Sequence, residues 1–208
     1  MYDACLTQNA KRLFPLLTRF SDYHLVGGTA LALQIGHRVS YDFDLFTEKP
    51  IKASLFAKIK KVFSGEVIRQ SFRSKEQFDL FVAGVKVTFR YYPFPPHYPL
   101  IKFQKVPLLS IKDIGATKAF AIGQRAAYRD YVDMYFILKE KHATLQEIIE
   151  LSEKKYKLDF NGRLFLEQLV YLGDITDTKV EFLRASISQR TLMRELKKEV
   201  KKYIATLA

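Results

Sequence analysis

Apolar positions change period several times along the chain. Leu6, Ala10, Leu13, Phe14, Leu16 and Leu17 recur at close to helical spacing, with Pro15 interrupting the run. Residues 23–26 are a short strand candidate broken by Gly27-Gly28, and residues 29–35 read as a helix stopped by Gly36. The period then switches to two. Val39, Tyr41, Phe43 and Leu45 fall on one side, and Ser40, Asp42, Asp44 and Phe46 on the other, which predicts a strand carrying its carboxylates on a single face. Residues 53–63 are helical by period. Residues 67–72, 77–83 and 85–92 alternate as strands, with Ala83-Gly84 as a hairpin turn between the last two. Pro93, Pro95, Pro96 and Pro99 mark the expected end of the sheet region.

Beyond the prolines the pattern is helical. Ser110 with Asp113 resembles a capping box ahead of an apolar run over 114–122, and residues 128–139 are amphipathic. Thr144 with Glu147 opens a helix to about residue 155. Residues 160–172 predict another helix, stopped by Gly173, and Ser186 with Gln189 marks the start of a basic C-terminal helix. The fold class expected is α+β: a mixed sheet with flanking helices over residues 1–105, then a helical domain over 106–208 packed against it.

Composition narrows the function classes. The chain has 208 residues, 48% of them hydrophobic and 27% charged, enough to bury a core and unlike a disordered chain. Lys and Arg outnumber Asp and Glu by 34 to 22, and the excess is uneven. Arg184, Arg190, Arg194, Lys197, Lys198, Lys201 and Lys202 face only Glu195 and Glu199 in the last stretch, which points to a polyanionic partner. The single cysteine, Cys5, excludes an internal disulfide. No signal-peptide pattern and no apolar run near the roughly 20 residues of a membrane span is evident, so a cytoplasmic protein without a membrane partner is expected. Four scattered histidines give no zinc pattern, and neither a Gly-x-Ser-x-Gly elbow nor a Walker-type loop is present.

The strand, Gly-Gly, helix, Asp-x-Asp order is chemically coherent. Glycines let a backbone approach a phosphate closely, and the helix that follows presents N–H groups and the positive end of its dipole to the same anion. Thr29 adds a hydroxyl. Asp42 and Asp44, two apart on a strand, can both reach one hard cation, and Mg²⁺ takes few carboxylates together with substrate phosphates. Lys118, Arg125 and Arg129 share one stripe if their helix is unbroken, although Gly123 can break it. That stripe also reads as a solvated basic face, and Asp130 and Asp133 as first-turn carboxylates favoured by the helix dipole. His37 and Arg38 suit a helix C-terminus, with Arg38 or Ser40 alternatively near phosphates. Tyr91, Tyr92, Phe94 and Tyr98, interleaved with cations, suit either base stacking or packing at the sheet end.

Gly27-Gly28-Thr29-Ala30-Leu31-Ala32-Leu33, followed by His37-Arg38-x-Ser40-x-Asp42-x-Asp44-x-Phe46, resembles the signature of AbiEii/AbiGii-type nucleotidyltransferases. These are toxins of type IV toxin–antitoxin and abortive infection systems within the polymerase-β-like superfamily. Lys118-Ala119 through Arg125 to Arg129-Asp130-x-x-Asp133-x-Tyr135 is similar to the family's later motifs. The resemblance covers about residues 24–138. It implies Mg²⁺- or Mn²⁺-dependent transfer of a nucleotide from an NTP to an acceptor hydroxyl, with RNA such as tRNA as the acceptor. It further implies that Gly27, Gly28 and Thr29 hold the triphosphate, with Arg38, Ser40, Arg125 and Arg129 as further nucleotide contacts. Asp42 and Asp44 would bind metal, Lys118 would contact phosphates, and Asp130 or Asp133 would assist the nucleophile. A cognate antitoxin encoded nearby is implied, without direct contact. The chain departs from the superfamily pattern at Thr88, where a third acid is expected; the nearest acid, Asp79, lies on the preceding strand. A catalytically degenerate nucleotide- or RNA-binding module is the alternative that this departure raises.

Overall fold

The computed structural model describes residues 1–125, 127–173 and 175–207. The chain divides into two compact units, Met1–Ser110 and Ile111–Ala208.

The first unit is built on a seven-stranded mixed sheet. Its strands are β1 (His24–Val26), β2 (Asp42–Thr47), β3 (Ile68–Arg73), β4 (Gln77–Val82), β5 (Val85–Tyr91), β6 (Ile101–Phe103) and β7 (Val106–Leu108), in the order β3-β4-β5-β2-β1-β7-β6. β2 pairs antiparallel with β1 and parallel with β5, so both aspartates sit in the middle of the sheet. The alternation read from the sequence is present in β2, whose residues run half-buried, buried, half-buried to Thr47. Phe43, Leu45, Phe78, Leu80, Val87 and Phe89 are all 1% exposed or less and form the core face, joined by Phe14, Phe20, Ile59 and Phe63. Burying side chains of this size removes roughly 1.5–3 kcal/mol of apolar exposure apiece, which fixes the strand register and hence the face on which Asp42 and Asp44 emerge.

Helices α1 (Gln8–Leu13), α2 (Gly27–Ile35) and α3 (Leu55–Val62) complete this unit. Pro15 converts the continuation of α1 into a 3₁₀ segment, Phe14–Arg19. Gly36 ends α2 in the left-handed region (φ 66°), its N–H returning to Ala32 O at 2.8 Å. Ala83 and Gly84 both have positive φ, as a tight two-residue hairpin turn requires.

Several expectations are corrected here. Residues 39–41 lie outside the strand: Ser40 makes an isolated bridge to Leu6, and Tyr41 is 45% exposed rather than aligned with Phe43. The sheet also continues past the prolines. β7 pairs parallel with β1 through Leu25 and Leu108, and Leu109 N donates to Leu25 O at 2.9 Å. Three-residue strands are too short to show a period, and only this pairing defines them.

The second unit contains α4 (Ile111–Ile122), α5 (Tyr128–Lys139), α6 (Leu145–Tyr156), α7 (Gly162–Leu169) and α8 (Gln189–Ile204). The Thr144/Glu147 capping box is formed in full at α6. α7 is shorter than expected, opening on the Asn161 cap and ending at Val170 instead of running to Gly173. α8 opens on Ser188, whose hydroxyl accepts from Thr191 N, two residues later than the Ser186/Gln189 reading. α4 stops at Ile122, so Lys118, Arg125 and Arg129 do not share one continuous helix, and Arg125 lies in the connection to α5.

Candidate active site

The site begins at the end of β1. Val26 is paired with Asp44, so the turn that follows it emerges beside that aspartate. Gly27 takes φ +67°, a conformation that costs L-residues with a Cβ about 1–2 kcal/mol. It also lacks room for one: a Cβ there would stand 3.0 Å from Asp44 Oδ2. The glycine is therefore set by backbone conformation and by the carboxylate above it. The N-cap residue of α2, Val26, supplies no side-chain acceptor to the first turn. The positive end of α2 thus lies beside the Asp44 carboxylate.

Asp42 is held from behind. The Thr29 hydroxyl donates to the Asp42 main-chain carbonyl (2.5 Å), and lies 2.7 Å from Ser40 Oγ and 3.2 Å from Asp42 Oδ1. Ser40 Oγ is 3.5 Å from the same Oδ1. Thr29 and Ser40 are 1% and 2% exposed, so their hydroxyls orient Asp42 from within the protein. Arg38 is 3% exposed and its guanidinium donates to Val39 O at 3.0 Å, which fastens the loop after α2. His37, the other residue after α2, is fully buried.

Sheet register extends the carboxylate face sideways. Asp44 is opposite Thr88 of β5, and Thr88 is opposite Asp79 of β4. Threonine therefore stands directly beside Asp44, where the superfamily pattern carries a third acid. Asp79 is one strand further, roughly 10 Å from Asp44 at the usual strand spacing. The Asp79 carboxylate accepts from Gln77 Nε2 at 2.9 and 3.0 Å and pairs with Lys86 Nζ at 3.4 Å. Lys86, opposite Asp42, is a cation on this face that the sequence reading passed over. Its signal was the two-residue offset from Thr88; its position followed only from the register.

The aromatic run after β5 packs on itself and on β2. Phe46, Tyr92 and Phe94 rings follow one another with centroids 4.9 and 5.2 Å apart, and the Arg90 guanidinium is 5.9 Å from the Phe46 and Tyr92 rings.

In the second unit, Lys118 of α4 is 7% exposed, with Nζ 2.5 Å from Asp130 Oδ1 and 2.6 Å from Asp133 Oδ2. Both aspartates belong to α5 and are themselves buried; the exposed Arg125 reaches Asp130 Oδ2 at 3.4 Å. Asp130 does lie in the first turn of α5, and Arg129 is exposed. The cluster clamps α4 to α5: Lys118 is drawn into a buried ion triad, whereas Arg125 and Arg129 remain on the solvated surface.

The donor set on β2 suits a hard divalent cation. Among the described residues no group of three or more His, Cys, Asp or Glu side chains converges on one point. Two half-exposed carboxylates leave coordination positions for oxygens from elsewhere, the arrangement Mg²⁺ adopts when it is shared with substrate phosphates.

Among the described residues no helix is long and apolar enough to cross a membrane. The Aquifex aeolicus (strain VF5) protein aq_aa25 is 31% identical over 194 residues, covering 88% of this chain and 89% of that one. An H. pylori protein assigned as a nucleotidyltransferase superposes with TM-score 0.55 at 18% identity, over 94% of this chain and 96% of its own. MenT4, a nucleotidyltransferase toxin of Mycobacterium tuberculosis H37Rv, superposes with TM-score 0.51 at 17% identity, over 90% and 78% of the two chains. At these identities the two structures show a shared nucleotidyltransferase fold. Residues 73–207 match the family described as nucleotidyl transferase AbiEii toxin, type IV TA system; the stretch includes Thr88, Lys118, Asp130 and Asp133 and begins after the Asp42–Asp44 strand. With the glycine turn and paired aspartates set on that fold, the chain belongs to the AbiEii nucleotidyltransferase toxin family.

Proposed function

We propose that this toxin transfers a nucleotide from an NTP to a hydroxyl of RNA in a Mg²⁺-dependent reaction. The acceptor oxygen forms a bond to the α-phosphorus, the α–β phosphoanhydride breaks, and pyrophosphate leaves. The observation that carries the reading is the placement of the Asp44 carboxylate against Gly27 at the start of α2, where the N-cap residue Val26 supplies no side-chain acceptor. The Gly27 and Gly28 backbone lies where it can approach a phosphate, and the helix end favours the charge. Thr29 and Ser40 hold Asp42 in orientation, acting as positioning residues. Lys86, paired with Asp79, lies on the same face. Asp42 and Asp44 would hold Mg²⁺, which when bound neutralises phosphate charge and polarises the reacting phosphoryl group. Membership of the type IV family supports a cognate antitoxin encoded nearby, with no direct contact between the two invoked.

The test is transfer of radiolabel from each of four α-labelled NTPs to total RNA, comparing the wild type with Asp44→Ala. Labelling by the wild type and loss of at least about 100-fold in the variant is expected, in line with the loss of a group that stabilises charge in the transition state. Equal labelling by both proteins rejects the assignment.

Thr88 beside Asp44 favours one second reading, a nucleotide-binding module without turnover. It predicts that NTP with Mg²⁺ raises the melting temperature while no product forms from any NTP. Detectable wild-type transfer eliminates it.

A further inference from the structure

We infer that α8, with the concavity beside Tyr171, is a single-stranded RNA-binding surface. It binds backbone phosphates along one helical stripe and takes one unstacked base against the tyrosine ring.

The stripe follows from helix geometry. Leu192, Leu196 and Val200 are buried and define the inner side of α8. At about 100° per residue, Arg190, Arg194, Lys197 and Lys201 fall within about 60° of arc on the outer side and extend over about 16 Å. All four are exposed. Arg194 pairs with Glu195 Oε1 at 3.1 Å in an exposed, weak pair. Among the described residues, Arg190, Lys197 and Lys201 have no carboxylate within ion-pair distance, and the two acids of the helix, Glu195 and Glu199, lie toward its flank. A row of exposed cations of this length fits a polyphosphate backbone.

The aromatic part lies at the start of the same stripe. Tyr171, Leu172, Gly173, Arg190, Met193 and Lys197 are among the residues lining a shallow, open concavity. Tyr171 is half exposed. Its ring lies over Gly173, where a Cβ would come within 2.7 Å of the Tyr171 hydroxyl oxygen, so the missing side chain makes room for it. A half-exposed ring, a methionine and two cations around one hollow are the parts of a base-stacking platform flanked by phosphate contacts. Cations alone would suit an acidic protein or an anionic membrane equally. The ring and the hollow favour a nucleobase.

The choice of RNA over DNA rests on the proposed acceptor; the surface itself does not. Binding of a fluorescein-labelled unstructured 12-mer RNA to the full chain is measured by anisotropy across a salt series. Four phosphate contacts to a single strand give a slope of log K on log [salt] near about −2.8, or about 50-fold weaker binding from 50 to 200 mM salt. Arg190→Glu with Lys197→Glu should flatten that slope by about 1.4. Tyr171→Ala should weaken binding about 5- to 150-fold with the slope unchanged, and Tyr171→Phe should retain it. The NTP·Mg²⁺-induced melting shift, read in the same variants, should stay at the wild-type value.

RNA binding unaffected by these variants overturns the surface while leaving the acceptor assignment intact. Binding lost in the variants, with no wild-type label transfer to RNA, upholds the surface and removes the acceptor. Absence of wild-type RNA binding overturns the surface, and label transfer to total RNA decides the acceptor separately. Equal dependence of anionic-vesicle binding on Tyr171 overturns the assignment to RNA.

Discussion

Gly27→Ala separates two consequences of one atom. The substitution forces an L-residue into φ +67°, costing about 1–2 kcal/mol, partly offset by about 0.4–1 kcal/mol from the stiffer unfolded chain. A net loss of about 1 kcal/mol lowers Tm by about 2–4 °C for a chain of this size. The added Cβ also sits 3.0 Å from Asp44 Oδ2, closer than it can rest comfortably, so the carboxylate must shift. If that displacement raises the apparent Kd for NTP·Mg²⁺ about tenfold, the ligand-induced stabilisation at saturation falls by about 1.4 kcal/mol, or about 3–5 °C. Gly84→Ala is the matched control: its φ is +82°, and a Cβ there meets nothing within 4 Å. Both variants are melted by differential scanning fluorimetry with and without NTP and Mg²⁺. Without ligand, both should melt a few degrees low. With ligand, Gly84→Ala should recover the full wild-type increment and Gly27→Ala only part of it. Equal increments in the two variants would refute the claim that Asp44 and the glycine turn share one ligand.

Thr29→Val keeps shape but removes the hydroxyl that meets Asp42 O and Ser40 Oγ; a loss of about 1–3 kcal/mol is expected in urea melts, together with reduced label transfer, and Thr29→Ser should restore both. Lys118→Met leaves Asp130 and Asp133 buried without their shared cation and should cost about 3–5 kcal/mol, and a loss below about 1 kcal/mol by urea denaturation would disprove the clamp. Burial pushes the Cys5 thiol from 9.0 up to about 12, so the native protein should resist iodoacetamide at pH 8 while the urea-unfolded chain reacts. The same raised value means that Cys5 contributes stability below pH 9 that is lost as pH rises toward about 12, and Cys5→Ala should show a shallower alkaline decline.

Wherever burial enforces a period, the element was legible in the sequence. β2 alternates because Phe43 and Leu45 must enter the core while Asp42 and Asp44 stay outside it, and Gly36 and the Thr144/Glu147 box mark helix ends through local backbone chemistry. The paired aspartates and the glycine turn were readable for the same reason: their spacing is local. What the tertiary structure alone decided was which distant residues meet. β6 and β7 have too few residues to display a period and exist through pairing with β1. Register, a property of neighbouring strands, set Thr88 beside Asp44, Asp79 beyond it and Lys86 opposite Asp42. Burial set the Thr29 and Ser40 hydroxyls against Asp42, and drew Lys118 into an ion triad with carboxylates 12 and 15 positions along the chain. Sequence determines the period and the turn because these depend on a few consecutive residues; the identity of a partner across the sheet or between helices depends on how whole faces pack.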